Sequence, residues 1–159
     1  FFLSYVRQYA YGDVNDAGSY LGNFPSPVIQ PTLIASLPSE IPNRFLFWGS
    51  YGNLPKKITL SPHIEYRNGF PYQPTNLYQQ WVPTTGPQYR YPNYFSLDMR
   101  VSKDVQVNPA HAVRLSLTVR NLTNHFNPLE VHSNLADPQY GTFFGNYDRK
   151  FLFDFDFLF

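Results

Sequence analysis

The chain has 159 residues, enough for one ordinary domain, yet 19% of them are aromatic, 15 are Pro and only 14% are charged. A formal net charge of +1 gives no broad basic surface for nucleic acid, and the lack of Cys excludes a disulfide framework or a thiolate metal site. No apolar run approaches the roughly 18 residues of a transmembrane helix, although that says nothing of strands, whose alternating signal is weak in a hydropathy scan.

Phe1 opens the chain and the only Met is Met99. Nothing near Phe1 has the basic region and apolar core of a signal peptide, so the expectation is a processed chain or a piece of something longer. The first segment, FFLSYVRQYAYGD (1–13), alternates poorly. Leu3, Tyr5, Tyr9 and Tyr11 share a parity, but so does Arg7. It reads as a strand whose faces are unassigned.

Further along, NRFLFWGSY (43–51) puts Phe45, Phe47 and Tyr51 on one face, with Leu46 and Trp48 on the other. In KITLSPHIEYR (57–67), Ile58, Leu60, Ile64 and Tyr66 alternate with Thr59, Ser61, His63, Glu65 and Arg67. Pro62 falls on the apolar face and has no N–H to give a ladder, which predicts a bulge or break there. YFSLDMRVS (94–102) sets Phe95, Leu97, Met99 and Val101 against Ser96, Asp98, Arg100 and Ser102. AVRLSLTVRN (112–121) sets Val113, Leu115, Leu117 and Val119 against Arg114, Ser116, Thr118 and Arg120. The last segment, RKFLFDFDFLF (149–159), has Phe151, Phe153, Phe155, Phe157 and Phe159 on one parity and Leu152, Asp154, Asp156 and Leu158 on the other. Successive strand side chains point to opposite faces, so each of these strands has one apolar side and one largely polar side.

The connections alternate long, short, long, short, long. Residues 52–56 and 103–111 are short, whereas 14–42, 69–93 and 122–147 are long and hold 12 of the 15 prolines. Long structureless connections are uncommon in compact domains and usually mean function or disorder. No segment has a convincing helical period, no repeat is present, and no linker divides the chain.

In a soluble β-sandwich the apolar parity faces a core and turns are short at both ends. In an outer-membrane barrel the apolar parity faces lipid, strands run about 9–11 residues, and the long loops lie on one side only. The strand lengths and one-sided loops favour the second. Tyr51, Tyr66, Tyr94 and Tyr147, near strand ends, are expected in its aromatic girdles. The predicted fold class is therefore all-β: an antiparallel transmembrane β-barrel segment of about six strands, with short periplasmic turns and long extracellular loops. Phe95, Leu97, Met99, Val101, Val113, Leu115, Leu117 and Val119 are expected to face lipid. Asp98, Arg100, Arg114, Arg120, Asp154 and Asp156 are expected to face the lumen.

The stretches PNRFLFWGSYGNLPKKITLSPHIEYRNGFPYQP, NYFSLDMRVSK, VRLSLTVRNLTNHFNP and KFLFDFDFLF together resemble the C-terminal end of the barrel of TonB-dependent outer-membrane receptors. The likeness is to the Oar-like, carboxypeptidase-regulatory-like group in particular, and covers about residues 40 to 159 well and 1 to 39 loosely. It implies a transporter that imports a large or scarce solute with energy from the inner membrane. It also implies that the terminal row Phe151, Phe153, Phe155, Phe157 and Phe159 is similar to the signal read by the barrel-assembly machinery. The implied partners are outer-membrane lipid, that machinery, an energy-coupling TonB-type protein and the rest of the barrel, with no nucleic acid. Both termini would be periplasmic. The family's plug domain has no counterpart within residues 1–159, and its barrels have 22 strands. Single-chain bacterial barrels start at about eight strands. The segment is thus expected to be incomplete alone, either the tail of a longer chain or one chain of a split barrel. Two other readings are a structural scaffold barrel in a surface assembly and a soluble β-sandwich binding module.

His63, His111, His125 and His132 are scattered, and no HExxH, Ser-His-Asp order or glycine-rich phosphate loop joins them. No enzyme activity, metal or cofactor is expected. Asp154 and Asp156 share a face, and a hairpin pairing residues that sum to about 270 would set Arg114 opposite Asp156. These residues are read as a lumen-facing ion-pair network with Asp98, Arg100 and Arg120. Tyr78, Trp81 and Tyr89 are the candidate ligand contacts, because Tyr and Trp offer stiff contact area with a polar handle. The alternative is that the loops pack on one another over the mouth.

Overall fold

The computed structural model describes residues 1–13, 34–37, 39–78, 82 and 89–159. Six strands of the described residues form a single antiparallel meander: β1 (Phe2–Arg7), β4 (Asn43–Trp48), β6 (Ile58–Arg67), β7 (Tyr94–Asn108), β8 (His111–Arg120) and β11 (Lys150–Leu158). They stand in chain order in the sheet, and β5 (Tyr51–Leu54) pairs with β6 as a continuation of β4. Two small ribbons lie in the long connections. One joins β2 (Tyr11–Asp13) to β3 (Ile34–Ser36), the other β9 (Glu130–Val131) to β10 (Phe143–Phe144). Among the described residues the two edges of the sheet belong to β1 and β11.

Register puts the apolar parity of every strand on the same side. Ile64 pairs with Leu97, Val101 with Leu117, and Leu117 with Phe153. In the first strand, Leu3 pairs with Phe47 and Tyr5 with Phe45, so its odd residues join the apolar side and carry Arg7 with them. The β8–β11 pairs run from Lys150↔Arg120 to Leu158↔Ala112, and Asp156 stands opposite Arg114 as expected.

Three local expectations need adjustment. The segment 103–108, expected to belong to a turn, extends β7: Val105 continues the alternation and pairs with Val113. The turn begins at Pro109, where Asn108 Oδ1 accepts from the N–H groups of Ala110 and His111. The break expected at Pro62 falls instead on its partner. Strand β6 runs through Pro62, and β4 stops at Trp48 opposite His63, resuming at Tyr51 opposite Leu60 with no change of register. Gly49 donates its N–H to the Pro62 carbonyl at 3.3 Å, and Pro62 has no N–H to return the bond. Finally, the strand expected over 1–13 divides, with β1 ending at Arg7 and β2 pairing separately.

The buried residues of the main strands are small polar ones, while both faces of β11 are exposed. At mid-sheet on the polar side, Ser96, Ser102 and Ser116 are buried, while Phe153 on the apolar side is 79% exposed. The bulkiest fully buried side chains among the described residues are Glu40, Asn127 and Pro74. The main strands touch their ladder neighbours, and no second layer covers either face among the described residues.

Candidate functional site

The apolar side has a polar border at its loop end. At the loop end Tyr5 Oη–H donates to Asn43 Oδ1 at 2.7 Å, and Asn43 Nδ2 donates to Asn68 Oδ1 at 2.7 Å. Asn68 Nδ2 then donates to Asn93 Oδ1 at 3.1 Å, and Asn93 Nδ2 to the Tyr66 hydroxyl at 3.0 Å. This belt of amides and phenols crosses from β1 to β7. Toward the turn end the same parity of β7 carries Lys103, opposite Ile58, and then returns to Val105 and Val107. A long Lys stem covers apolar surface while its ammonium reaches outward. Between Asn93 and Lys103 the parity reads Phe95, Leu97, Met99, Val101. At about 3.4 Å per residue that interval is about 34 Å of strand, or about 24 Å measured across a sheet tilted by about 45°. Val113, Leu115, Leu117 and Val119 of β8 and Phe151, Phe153, Phe155 and Phe157 of β11 continue the band. Phe159 lies just past β11, 96% exposed, edge-on to His111 at 5.8 Å.

The polar side holds the expected carboxylates and guanidiniums, with different partners. Arg114 faces Asp156 in one ladder but Asp104 in the other, and it binds Asp104 bidentately at 2.7 and 2.9 Å. Fork-to-carboxylate geometry makes that the stronger choice. Arg100 takes the place expected for Arg114, lying 3.6 Å from Asp154 and 3.9 Å from Asp156, and it donates to Ser116 Oγ at 3.1 Å. Asp98 accepts from Ser96 Oγ and from the Asn121 N–H. Arg120, opposite Lys150, enters no ion pair among the described residues. On this face Arg114 pairs with Asp104 and Arg100 lies near Asp154 and Asp156, whereas Asp98 has His63 at 3.9 Å as its ion-pair partner and Arg120 has none among the described residues.

Two asparagines in RNLTNHFN, whose roles the sequence reading missed, tie the last long loop to the sheet. Strand β8 leaves β7 unpaired beyond Met99, so the early carbonyls and N–H groups of β7 need other partners. The Asn127 amide supplies both: Phe95 N–H donates to its Oδ1 at 3.0 Å, and its Nδ2 donates to the Phe95 carbonyl at 2.8 Å. Asn121, at a left-handed φ of 49°, donates from Nδ2 to the carbonyls of His125 and Tyr147 and accepts the His125 N–H. Leu122 N–H reaches the Leu97 carbonyl at 2.7 Å. A short polar side chain next to a strand end was the available signal.

The loops then pack on one another. Thr75 N–H donates to the Ser133 carbonyl and Leu135 N–H donates to the Thr75 carbonyl, both at 2.8 Å. Gly69 passes so close to Tyr91 that an added Cβ would sit 1.7 Å from its carbonyl oxygen, which requires glycine. Tyr72 is the centre of an aromatic cluster, with Tyr89 at 5.6 Å, Tyr91 at 5.7 Å and Phe143 at 6.1 Å between ring centroids. Burial, with the neighbouring phenols of Tyr89 and Tyr72, pushes the Tyr140 hydroxyl up to about 12. Nearby, Glu40 is 1% exposed and paired to Arg90. Burial pushes its carboxyl up, but hydrogen bonds from Ser36 and Arg90 and the Arg90 charge outweigh that and hold it below the usual carboxylate range.

Compared with protein-family models, curated proteins and solved structures, the chain finds no match in any of the three.

Of the three predicted loop contacts, the structure brings only Tyr89 into the cluster. Tyr78 is 71% exposed at a turn where its N–H meets Asn76 Oδ1, and Trp81 lies outside the described residues. The girdle expectation divides as well. Tyr66 and Tyr51 stand on the apolar side, opposite Phe95 and Leu60. Tyr94 stands on the polar side opposite Arg67, with Tyr147 edge-on to it at 6.4 Å. Its even parity within β7 dictates this. Among the described residues no cluster of His, Asp and Glu has the makings of a metal site, and no helix is long and apolar enough to cross a membrane.

Proposed function

We propose that this chain supplies six neighbouring strands of an outer-membrane β-barrel of the TonB-dependent-receptor kind, with its loops covering the outer mouth of a transporter. The observation that carries the reading is the apolar face: a row of large apolar side chains lies open to the surroundings there, while the buried residues of the main strands are the serines of the other side. Keeping Phe151, Phe153, Phe155, Phe157 and Phe159 in water would forgo about 2 kcal/mol each, about 10 kcal/mol together, which rivals the whole stability of a domain. Lipid against that face removes the penalty. The apolar band, bordered at the loop end by amides and phenols, supports the same reading. So do the edges of β1 and β11, unpaired among the described residues, which further strands of this polypeptide or of a partner would continue.

A soluble sandwich needs a second sheet over the apolar side, and none lies there among the described residues. Envelope fractionation tests the membrane reading. The protein should sediment with outer membranes and leave them only in detergent; a species that stays soluble without detergent would overturn it. Intact mass then separates transporter from scaffold. A polypeptide ending in FDFDFLF several times heavier than 18.5 kDa fits a full receptor. A mass near 18.5 kDa would leave an assembled scaffold barrel.

A further inference from the structure

At the loop end of the polar side, Arg67 of β6 stands between Arg44 of β4 and Tyr94 of β7. Glu65 is the carboxylate within ion-pair reach of both arginines. Arg44 takes it, with an Nε–H···Oε1 bond of 2.9 Å. Arg67 Nε is left 3.6 Å from the same oxygen, and among the described residues the Arg67 side chain makes no hydrogen bond, although it is only 16% exposed. Its guanidinium carbon lies 4.3 Å from the Phe70 ring centroid and 4.4 Å from that of Tyr94. The rings fix the group through its π-faces and give its N–H edge nothing to bond.

Arg67 lines a cleft of about 280 Å³ whose walls also include Tyr91, Tyr94, Tyr147, Pro128 and Leu129. Arg44 and Arg67 share Glu65 as their ion-pair partner, while the Asp98 and Glu130 carboxylates act on the wall residues Tyr94 and Tyr91. A largely buried charge without hydrogen-bond partners is costly, and an arriving anion offsets that cost. The planar fork of Arg suits a carboxylate bidentately, and tyrosine and proline walls suit a compact ring. We propose that this cleft binds a small carboxylate-bearing ring compound, with the carboxylate on Arg67. An acidic sugar and an aromatic acid share that chemistry. The inference goes beyond the transporter reading, since it rests on the polar side alone and does not depend on what meets the apolar side.

The test is calorimetric titration of the full protein, purified in mild detergent, with D-glucuronate and with 4-hydroxybenzoate. Glucose and 4-hydroxybenzamide serve as the neutral counterparts. One acid should bind at least about tenfold more tightly than its neutral counterpart, and which acid does so identifies the source. Arg67→Gln should weaken it by about tenfold or more, whereas Arg114→Gln, at the other end of the sheet, should leave it unchanged. Leu129→Trp, which fills the cleft with Arg67 intact, should also abolish binding and guards against misfolding of the first variant. Equal binding of acid and neutral probe, unchanged affinity in Arg67→Gln, or no heat from either acid up to about 10 mM would overturn the proposal.

Discussion

In β8 and β11 the chain is held by repetition: Val113, Leu115, Leu117 and Val119 run beside Phe157, Phe155, Phe153 and Phe151, and an apolar residue of similar size would serve at any of them. In the loops above, single side chains do the holding. Asn127 stands in for a strand partner of Phe95, Asn121 gathers three backbone groups, and Arg90 neutralises a buried Glu40. The difference predicts how each region fails. The sheet should respond to the polarity of a substitution, and the loops to the loss of one particular atom.

The largest effect should come from Arg90→Ala, which strands the Glu40 carboxylate and should cost the loop platform about 3–5 kcal/mol. Hydrogen exchange should show loops opening while β7 and β8 keep their protection. Phe153→Arg should cost about 2–4 kcal/mol if that face meets lipid, seen as a lower urea midpoint for the barrel in bilayers. Its neighbour Asp154→Asn, in a half-exposed pair with Arg100, should cost under about 1 kcal/mol. Equal effects at the two positions would erase the distinction between the faces. Next comes Asn127→Ala, which leaves the Phe95 N–H and carbonyl without partners and should cost about 2 kcal/mol, with faster exchange confined to the start of β7. Tyr5→Phe removes one bond of the belt and should cost about 1 kcal/mol or less.

The smallest effect concerns pH. The Gln139 N–H and the His132 ring hold the Asp137 carboxyl below its usual range. A lowered folded pKa gives a contribution fully present above the unfolded value, about 3.9, and lost as pH falls through the folded one. Loop resonances around His132 should therefore loosen only below about pH 4, and Asp137→Asn should remove that dependence.

Most of the sheet was legible because a period of two is written into β6, β7, β8 and β11, and the pairing of Asp156 with Arg114 follows from it. The salt-bridge partners were not. Asp104 sits beside a turn signal, N-P-A-H, which disguised the last residues of β7, so the ion pair of Arg114 was assigned to the other strand. Tyr94 was grouped with girdle residues by its place near a strand end, although its parity sends it to Arg67. Asn127 lies in a stretch rich in Asn and Pro where any one residue resembles a turn former; its role depends on where β8 lets go of β7, a tertiary fact.

Because the 159 residues contain no Cys, a single introduced thiol reports one position. A nitroxide should be attached at Phe153→Cys and, separately, at Asp154→Cys, in the full protein reconstituted into lipid vesicles. Its collisions with oxygen, which concentrates in lipid, are then compared with those with a water-soluble nickel complex. The account predicts that the label at 153 meets oxygen and is shielded from nickel, and that the label at 154 shows the reverse bias. Equal access of nickel to both would contradict the assignment of the phenylalanine face to lipid.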